Sequence, residues 1–528
     1  MIDRVHALAL IKAWLQTIGK VWRSFEPALP WSAQHTALLA LALLLTVMCR
    51  LSSAQTPPLG NEPTLTPAIP GPLETVPVPQ EQLLAPVPQQ FNWLEREVPS
   101  NPLLESLLSL RAPSGLTVTT SLTEEVSDNF DHAPGSHRVD SRTGVILGTV
   151  YRLDDGQNFV SLANTIRAFY QVHTARSEIG FANLLLNAGY QLSPLSFGLT
   201  DSFVRDDNTT QLQARDPSFA LLPARQRFLR NSISPQVHYD ISPTTAATLR
   251  YTNTVVVDES GSQGTTTTHE VSPGLQHQFS PNLTSHVHYT FTTSNGLGLS
   301  SVSEISGSRS HHITTDLGYQ LDTETSAILS AFGTLVDRST TAGQSTTAGQ
   351  DSRTYGASIG MRRVLFSTVR LFGSVGPTAF QRQGESTKVR ANWQLGLDSP
   401  IPLSPFLTLS LTTDQSVVDT GGEVRNVGLV LRQGATARLT YTPSAVWTTA
   451  IFVNYSRNEL LENSGTIGAE QGRIDNLLST GVTASYALTS VISLTGNYLY
   501  QRLDSNQARN NFDENRVTLA VTGRFPVF

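Results

Sequence analysis

The sequence predicts an all-β chain: a transmembrane antiparallel up-and-down β-barrel of about 20 strands (roughly 18–22), preceded by a signal peptide and a Pro-rich tail. Three observations predict it. From Gly115 onward, tight turns recur about every forty residues; the segments between them alternate apolar and polar side chains; and charged residues make up only 15% of the chain. An ordinary globular chain carries about 25%. Here Ser, Thr, Asn, Gln and Gly stand in for the missing charges, which suits a wall with lipid on one face and water on the other. A soluble array of β-sandwiches shares this composition, so the spacing and alternation have to separate the two.

The chain opens with a leader. Ala37 to Met48 is an apolar run too short to span a bilayer as a helix and of the right length for a secretory core. Ser52-Ser53-Ala54 then supplies the small residues of a cleavage site, so residues 1–54 read as a signal peptide cut after Ala54. The segment before the core is long and holds a weakly amphipathic piece, Val5 to Val21, so either the leader is extended or the true start lies downstream. Cys49 is the single cysteine and falls inside the leader, where Thr46-Val47-Met48 fits a lipoprotein signal poorly. The mature chain then has neither a disulfide framework nor a cysteine metal site. Cleavage removes Arg4, Lys12, Lys20, Arg23 and Arg50 with Asp3 and Glu26, taking the formal charge from −6 to about −9. That balance gives no reason to expect a nucleic-acid partner.

Residues 55–114 form a linker. Twelve of the 29 prolines lie between Pro57 and Pro102, and proline fixes φ and removes a donor, so the segment reads as polyproline II or disorder and not as part of a sheet. It is either a periplasmic spacer reaching peptidoglycan or a periplasmic partner, or a passive tether. At its end Asn101 and Pro102 resemble a helix start, and Leu103, Leu104, Leu107 and Leu108 share one face of a short helix.

Residues 115–528 carry the barrel. Turns are expected at Asp154-Asp155-Gly156, Ser193-Pro194, Ser242-Pro243, Ser280-Pro281-Asn282, Asp322 to Thr325, Leu365 to Ser367, Pro402 to Pro405, Pro443-Ser444 and Thr489-Ser490. Nine turns and ten longer loops make twenty strands. Val389, Ala391, Trp393, Leu395 and Leu397 share one face, opposite Arg390, Asn392, Gln394 and Asp398. Leu283, Val287, Tyr289 and Phe291 likewise oppose Thr284, His286, His288 and Thr290. Aromatics including Tyr239, Tyr251, Trp393, Trp447, Tyr455, Tyr486, Tyr498 and Tyr500 supply the girdles such barrels carry. Val424 to Tyr441 keeps one parity through Gln433-Gly434-Ala435, so it reads as one strand; a hairpin there would make twenty-two. Ser339 to Gln344 is repeated as Ser345 to Gln350, which places the duplication in an exposed loop. The last strand alternates from Arg516 and ends Phe525-Pro526-Val527-Phe528, where a bulge at Pro526 would return the terminal Phe to the lipid face.

Reactive chemistry is sparse. His269 with Ser272, and Ser310 beside His311, are the candidate nucleophile pairs, and neither has an evident third member. His277, His286 and His288 flank one turn, but opposite parities point the rings of His277 and His286 apart, and no metal, cofactor or catalytic site is assigned. The informative residues are charges on the lumen parity: Arg250, Arg370, Arg390 and Arg438, with Asp240 and Asp316. Such charges set the ion preference of a pore, or they solvate the wall and pair with neighbouring acids. The third loop, Arg205 to Arg227, holds Arg205, Asp206, Asp207, Arg215, Asp216 and Arg225 around Phe219-Ala220-Leu221-Leu222, and is read as a constriction element or as a lid over the mouth.

Glu124-Glu125-Val126-Ser127-Asp128-Asn129-Phe130, followed by a polar loop and a hydrophobic strand, resembles the beta-barrel porin 2 family of bacterial outer-membrane proteins. The resemblance covers about residues 115 to 528 and carries over no functional residue. It implies a single-chain outer-membrane barrel, with some members linked to exopolysaccharide systems. The expected function is non-enzymatic, passive diffusion of small hydrophilic solutes; the alternative is a secretion or envelope-scaffold barrel associated with exopolysaccharide export. The expected partners are outer-membrane lipid, the barrel-assembly machinery and the periplasmic contacts of the tail. Short turns and both termini are expected on the periplasmic side.

Overall fold

The computed structural model describes residues 115–129, 139–154, 158–173, 176–206, 228–258, 265–297, 305–340, 351–365, 369–382, 384–400, 406–419, 429–461, 472–507 and 510–527. The leader, the Pro-rich segment and the expected short helix lie outside these residues. Twenty strands follow in order: β1 (Gly115–Ser127), β2 (Asp140–Asp154), β3 (Asn158–Gln171), β4 (Arg176–Leu192), β5 (Leu195–Asp206), β6 (Phe228–Ser242) and β7 (Thr245–Asp258). Next come β8 (Thr265–Ser280), β9 (Leu283–Leu297), β10 (Ile305–Gln320), β11 (Thr325–Thr340), β12 (Ser352–Leu365), β13 (Val369–Arg382) and β14 (Lys388–Pro400). The last six are β15 (Leu407–Asp419), β16 (Leu429–Ser444), β17 (Trp447–Leu460), β18 (Ile474–Ala487), β19 (Ile492–Ser505) and β20 (Phe512–Pro526).

Each strand pairs antiparallel with its chain neighbours, and β1 pairs with β20, so the sheet closes and has no edge. Twenty strands at the usual spacing and tilt give a backbone cylinder about 40 Å across. A cylinder this wide cannot fill its interior with side chains, so the apolar parity turns outward. On β12, Tyr355, Ile359 and Met361 are exposed while Ser352 and Thr354 on the other parity are buried. The same division runs through β1, where exposed Leu122 and Val126 alternate with buried Ser121, Thr123 and Ser127.

Two bands of aromatics bound the lipid-facing belt. Tyr190, Tyr239, Trp447 and Tyr486 lie near the turn-side end. Toward the loop side, tyrosine hydroxyls reach polar partners on the next strand: Tyr251 to His269 Nδ1 at 2.9 Å, Tyr289 to His311 Nδ1 at 2.7 Å, Tyr455 to Asn476 Oδ1 at 3.1 Å and Tyr498 to Asn515 Oδ1 at 2.8 Å. An aromatic with a polar tip sits best where hydrocarbon meets headgroup, which marks the upper border of the belt.

The closing seam is fastened by the motif that carried the family resemblance. Ser127 Oγ donates to Glu514 Oε1 at 2.6 Å, and Asn129 Nδ2 donates to the Asp513 carbonyl at 2.8 Å. The Asp128 carboxylate accepts from the Asn515 backbone N–H at 2.7 Å and from Asn515 Nδ2 at 2.8 Å. Ser127-Asp128-Asn129 is therefore a clasp between the first strand and the last.

Several expectations are corrected. β16 is one strand, as its parity required, but it runs through Ser444 and the chain reverses at 445–446. No bulge resets the register at Pro526: the β1–β20 ladder runs on to Thr117 opposite Pro526, and Val527 N donates to the Leu116 carbonyl at 2.7 Å. Phe525 stays on the lipid face, and Phe528 lies outside the described residues. Ser339 and Thr340 belong to β11; the rest of the hexapeptide duplication is outside the described residues. The lumen parity is also less uniformly polar than expected. Near the loop-side end Val204, Phe228, Val256, Val336, Phe380, Val430, Leu460, Leu503 and Phe512 occupy that parity and are buried. Leu477, Leu503 and Phe512 form one packed cluster across β18, β19 and β20. The buried apolar residues thus gather near the loops on part of the barrel, and the polar wall lies below them.

Candidate lumen site

All six charges assigned to the lumen from sequence stand on the inward parity. Arg250 lies beside Ser272 on β8 and donates from Nη2 to Gln236 Oε1 at 3.3 Å. Asp240 accepts from His238 Nε2 at 3.0 Å when that nitrogen carries the proton. Asp316 is buried directly opposite His286 on β9. Arg390 lies opposite Thr378, toward the loop side.

Register joins the remaining two. Arg370, Asp398, Ser410, Arg438, Phe452 and Gly481 are successive partners across β13 to β18, one continuous row near the turn-side end. The adjoining inward row is Arg362, Phe372, Gly396, Thr412, Thr436 and Asn454, on β12 to β17. Thr436 and Asn454 satisfy one another at 3.1 Å.

Several lumen charges elsewhere are neutralised. Arg142 pairs with Glu125 at 3.1 Å, Arg473 with Asp475 at 2.7 Å, and Arg516 with Glu514 at 2.7 Å. Neutral groups also satisfy one another, as in Ser121 with Thr522, Ser232 with Thr254 and Ser272 with Thr290. Arg370, Arg390 and Arg438, by contrast, make no hydrogen bond or ion pair among the described residues. Their guanidinium donors face the lumen uncommitted, which is the arrangement that attracts a mobile anion.

The nucleophile pairs come apart. Ser272 is inward and donates to Glu270, whereas His269 stands on the outward parity beside Tyr251. Ser310 and His311 are sequence neighbours on opposite faces of β10, and His311 belongs to the outer girdle. His277 is opposite Ser285, because the ladder shifts between Gln278 and Ser280; its ring packs edge-on to Phe279, away from His286. Among the described residues no group of three or more His, Cys, Asp or Glu is placed to hold a metal. Of the third-loop residues, Arg205 and Asp206 belong to β5, while Asp207, Arg215, Asp216 and Arg225 lie outside the described residues.

The model of the family described as Putative beta-barrel porin 2 matches residues 403–525. The matched stretch spans β15 to β20, including the Arg438 and Phe452 part of the row. Among solved structures, the chain is similar to Pseudomonas aeruginosa OccK5 (OpdH) at 12% identity and a TM-score of 0.36, covering 78% of this chain and 98% of that one. It is also similar to Acinetobacter baumannii OccAB3 at 10% identity and a TM-score of 0.36, covering 78% and 99%. A third is the siderophore receptor PirA from Pseudomonas aeruginosa, at 12% identity and a TM-score of 0.40, covering 79% and 81%. No curated protein matches the chain.

Sequence reasoning missed Arg362, Phe372 and Phe452. Arg362 follows Met361 in an alternating strand and could be placed inward from Tyr355 and Ile359. The two phenylalanines sit on polar parities of otherwise apolar strands, a visible exception whose meaning depends on the glycines opposite them.

Proposed function

We propose that this chain is a non-enzymatic outer-membrane porin-like barrel through which small hydrophilic solutes diffuse, with anions preferred. The observation that carries the reading is the closed sheet of twenty strands whose inward face leaves Arg370, Arg390 and Arg438 without a hydrogen bond or ion pair among the described residues, while Glu125, Asp475 and Glu514 are each paired with an arginine. Free guanidinium groups in a water-filled cylinder raise the local anion concentration at little energetic cost. Arg250 and the candidate constriction loop from Arg205 to Arg227 belong to the same proposed path. The short turns and both termini face the periplasm, as in barrels of this class. The Pro-rich residues 55–114 extend into that compartment, and the barrel-assembly machinery inserts the chain.

Planar-bilayer recording of the purified chain tests this. The expected record has discrete open steps and, under a KCl gradient, a reversal potential of the sign that marks chloride as the more permeant ion. A barrel that inserts and stays silent would overturn diffusion and leave the scaffold role in its place.

A further inference from the structure

On the outer face of the barrel, one acid stands inside the lipid belt. Asp201 on β5 alternates with buried Ser202 and Val204, and its register partner on β6 is the exposed Ile233, so its side chain is on the outward parity. It stands six residues above Leu195, the first residue of β5. Tyr251, Tyr289 and Tyr498 likewise stand six residues above the first residues of β7, β9 and β19, and their hydroxyls reach partners one outward row closer to the loops. Asp201 is therefore level with the bases of these tyrosines and below their hydroxyls, within the hydrocarbon band. Every other acidic or basic side chain on the outward parity of the described strands lies elsewhere. Each is within three residues of its strand's turn-side end, as His277 and Arg363 are, or at least nine residues from it, as Glu124, His311, Arg457 and Arg502 are.

Asp201 has no donor. Its Oδ1 is buried without a hydrogen-bond partner, and the carboxyl makes neither a hydrogen bond nor an ion pair among the described residues. Its outward neighbours are Leu186 on β4, Leu199 and Phe203 on β5, and Ile233 on β6. Acyl chains offer no donor either, so lipid is a poor cover for this position. Asn164 on β3 repeats the situation. It alternates with buried Ala163 and Thr165, stands six residues above Asn158, the first residue of β3, and makes no hydrogen bond among the described residues. β4 lies between the two: Asn164 registers with Leu184, two residues from Leu186, the partner of Asp201. Two strand spacings and an offset of two residues put their Cα atoms about 12 Å apart on the wall, beyond the reach of two short side chains.

We propose that the outer face of β3 to β5 is the contact surface for a second copy of this chain, related to the first by a two-fold axis along the membrane normal over β4. Such an axis preserves height, so it sets β3 of each copy against β5 of the other and brings an Asn164 amide to an Asp201 carboxyl twice, once on each side of the axis. The amide donates from Nδ2 and the carboxyl accepts, which satisfies both groups away from lipid. Leu186, six residues above the turn-side end of β4, stands at the axis and meets its own copy. A donor and an acceptor at one height on either side of a single strand make the patch complementary to itself. A foreign chain bearing a cation would answer Asp201 and leave Asn164 without a role.

The test traps the pair in the membrane and then weighs it in detergent. In a Cys49→Ser background, which removes the chain's one cysteine, Leu186→Cys is expected to give a disulfide-linked dimer when membranes are oxidised. Asp201→Cys and Asn164→Cys should each stay monomeric alone and cross-link between chains when combined, since within one chain they are too far apart for a disulfide. Ile451→Cys, exposed on β17 away from this face, should not cross-link. Sedimentation of the purified full chain should show a monomer–dimer equilibrium that Asp201→Leu weakens about a hundredfold, the value of two hydrogen bonds to a carboxylate. The gel shift between folded and boiled forms should survive that substitution, which shows that the barrel is intact. A wild-type chain that sediments as a monomer and is not trapped through Leu186→Cys overturns the proposal. So does a dimer whose affinity is indifferent to Asp201→Leu, or a Leu186→Cys cross-link to a different protein.

Discussion

Gly396→Ala isolates the contact that seats Phe372 against the lumen wall. The added Cβ would stand 2.0 Å from Cζ and 2.2 Å from Cε1 of Phe372. Carbon atoms in contact sit at about 3.5–4.0 Å, so the ring has to move by roughly 1.5 Å or more. The β14 backbone is held by ladders to β13 and β15 and cannot yield by that amount. The ring then rotates off the wall into the lumen. Overpacking of this kind costs about 1–3 kcal/mol. Two assays read it: the urea midpoint, followed by the gel shift between folded and boiled forms, should fall, and single-channel conductance should drop as the ring enters the path. In a Phe372→Ala background the same alanine meets no ring and should cost under about 0.5 kcal/mol, leaving a coupling of about 1–3 kcal/mol. Equal costs in the two backgrounds would mean that the ring does not lie over Gly396.

Three further outcomes are expected. Asp128→Ala removes two charge-assisted hydrogen bonds from the closing seam and should lower stability by about 2 kcal/mol after allowance for its partial exposure, read as a lower urea midpoint with the fold retained. Arg370→Glu combined with Arg438→Glu should turn the reversal potential toward cation preference while Arg142→Gln combined with Glu125→Gln, which removes both charges of a pair, leaves it nearly unchanged. In the turn between β10 and β11 the Glu324 backbone N–H, bonded to Asp322 Oδ1 at 2.8 Å, holds the Asp322 carboxyl below the usual carboxylate range. A depressed value means its stabilisation is full above the ordinary carboxylate pKa and is lost as pH falls through the folded one, so wild type and Asp322→Ala should differ equally at pH 5 and pH 7 and converge in stronger acid.

Much of the barrel was legible because its two signals are local. A Ser-Pro or Asp-Gly pair marks a reversal wherever it stands, and the parity of Val389 to Leu397 or Leu283 to Phe291 assigns a face without knowledge of the partner strand. What escaped depends on the partner. The shift between Gln278 and Ser280 that carries His277 opposite Ser285 is a property of the β8–β9 ladder, not of either strand. The seats of Phe372 and Phe452 require Gly396 and Gly481 from the neighbouring strands, and only the register brings them together. The apolar residues near the loops are readable in part, since Leu460, Leu477, Leu503 and Phe512 all lie within a few residues of loop ends, but alternation by itself predicts a polar inward face along the whole strand. The free state of Arg370, Arg390 and Arg438 was invisible for a similar reason: sequence gives a charge its face and not its partner.

The clasp between β1 and β20 also bears on the order in which the molecule is made. Ser121 meets Thr522 across 401 residues of chain, and Ser127 meets Glu514 across 387. No neighbouring hairpin can stand in for such contacts, so closing them costs more chain entropy than closing any hairpin of the barrel. Until then two strands present a full row of unpaired N–H and C=O groups, and hydrocarbon offers those groups nothing. A sheet without this last pairing carries that cost along the whole length of both strands, and the contacts of Asp128 with Asn515 belong to the step that removes it.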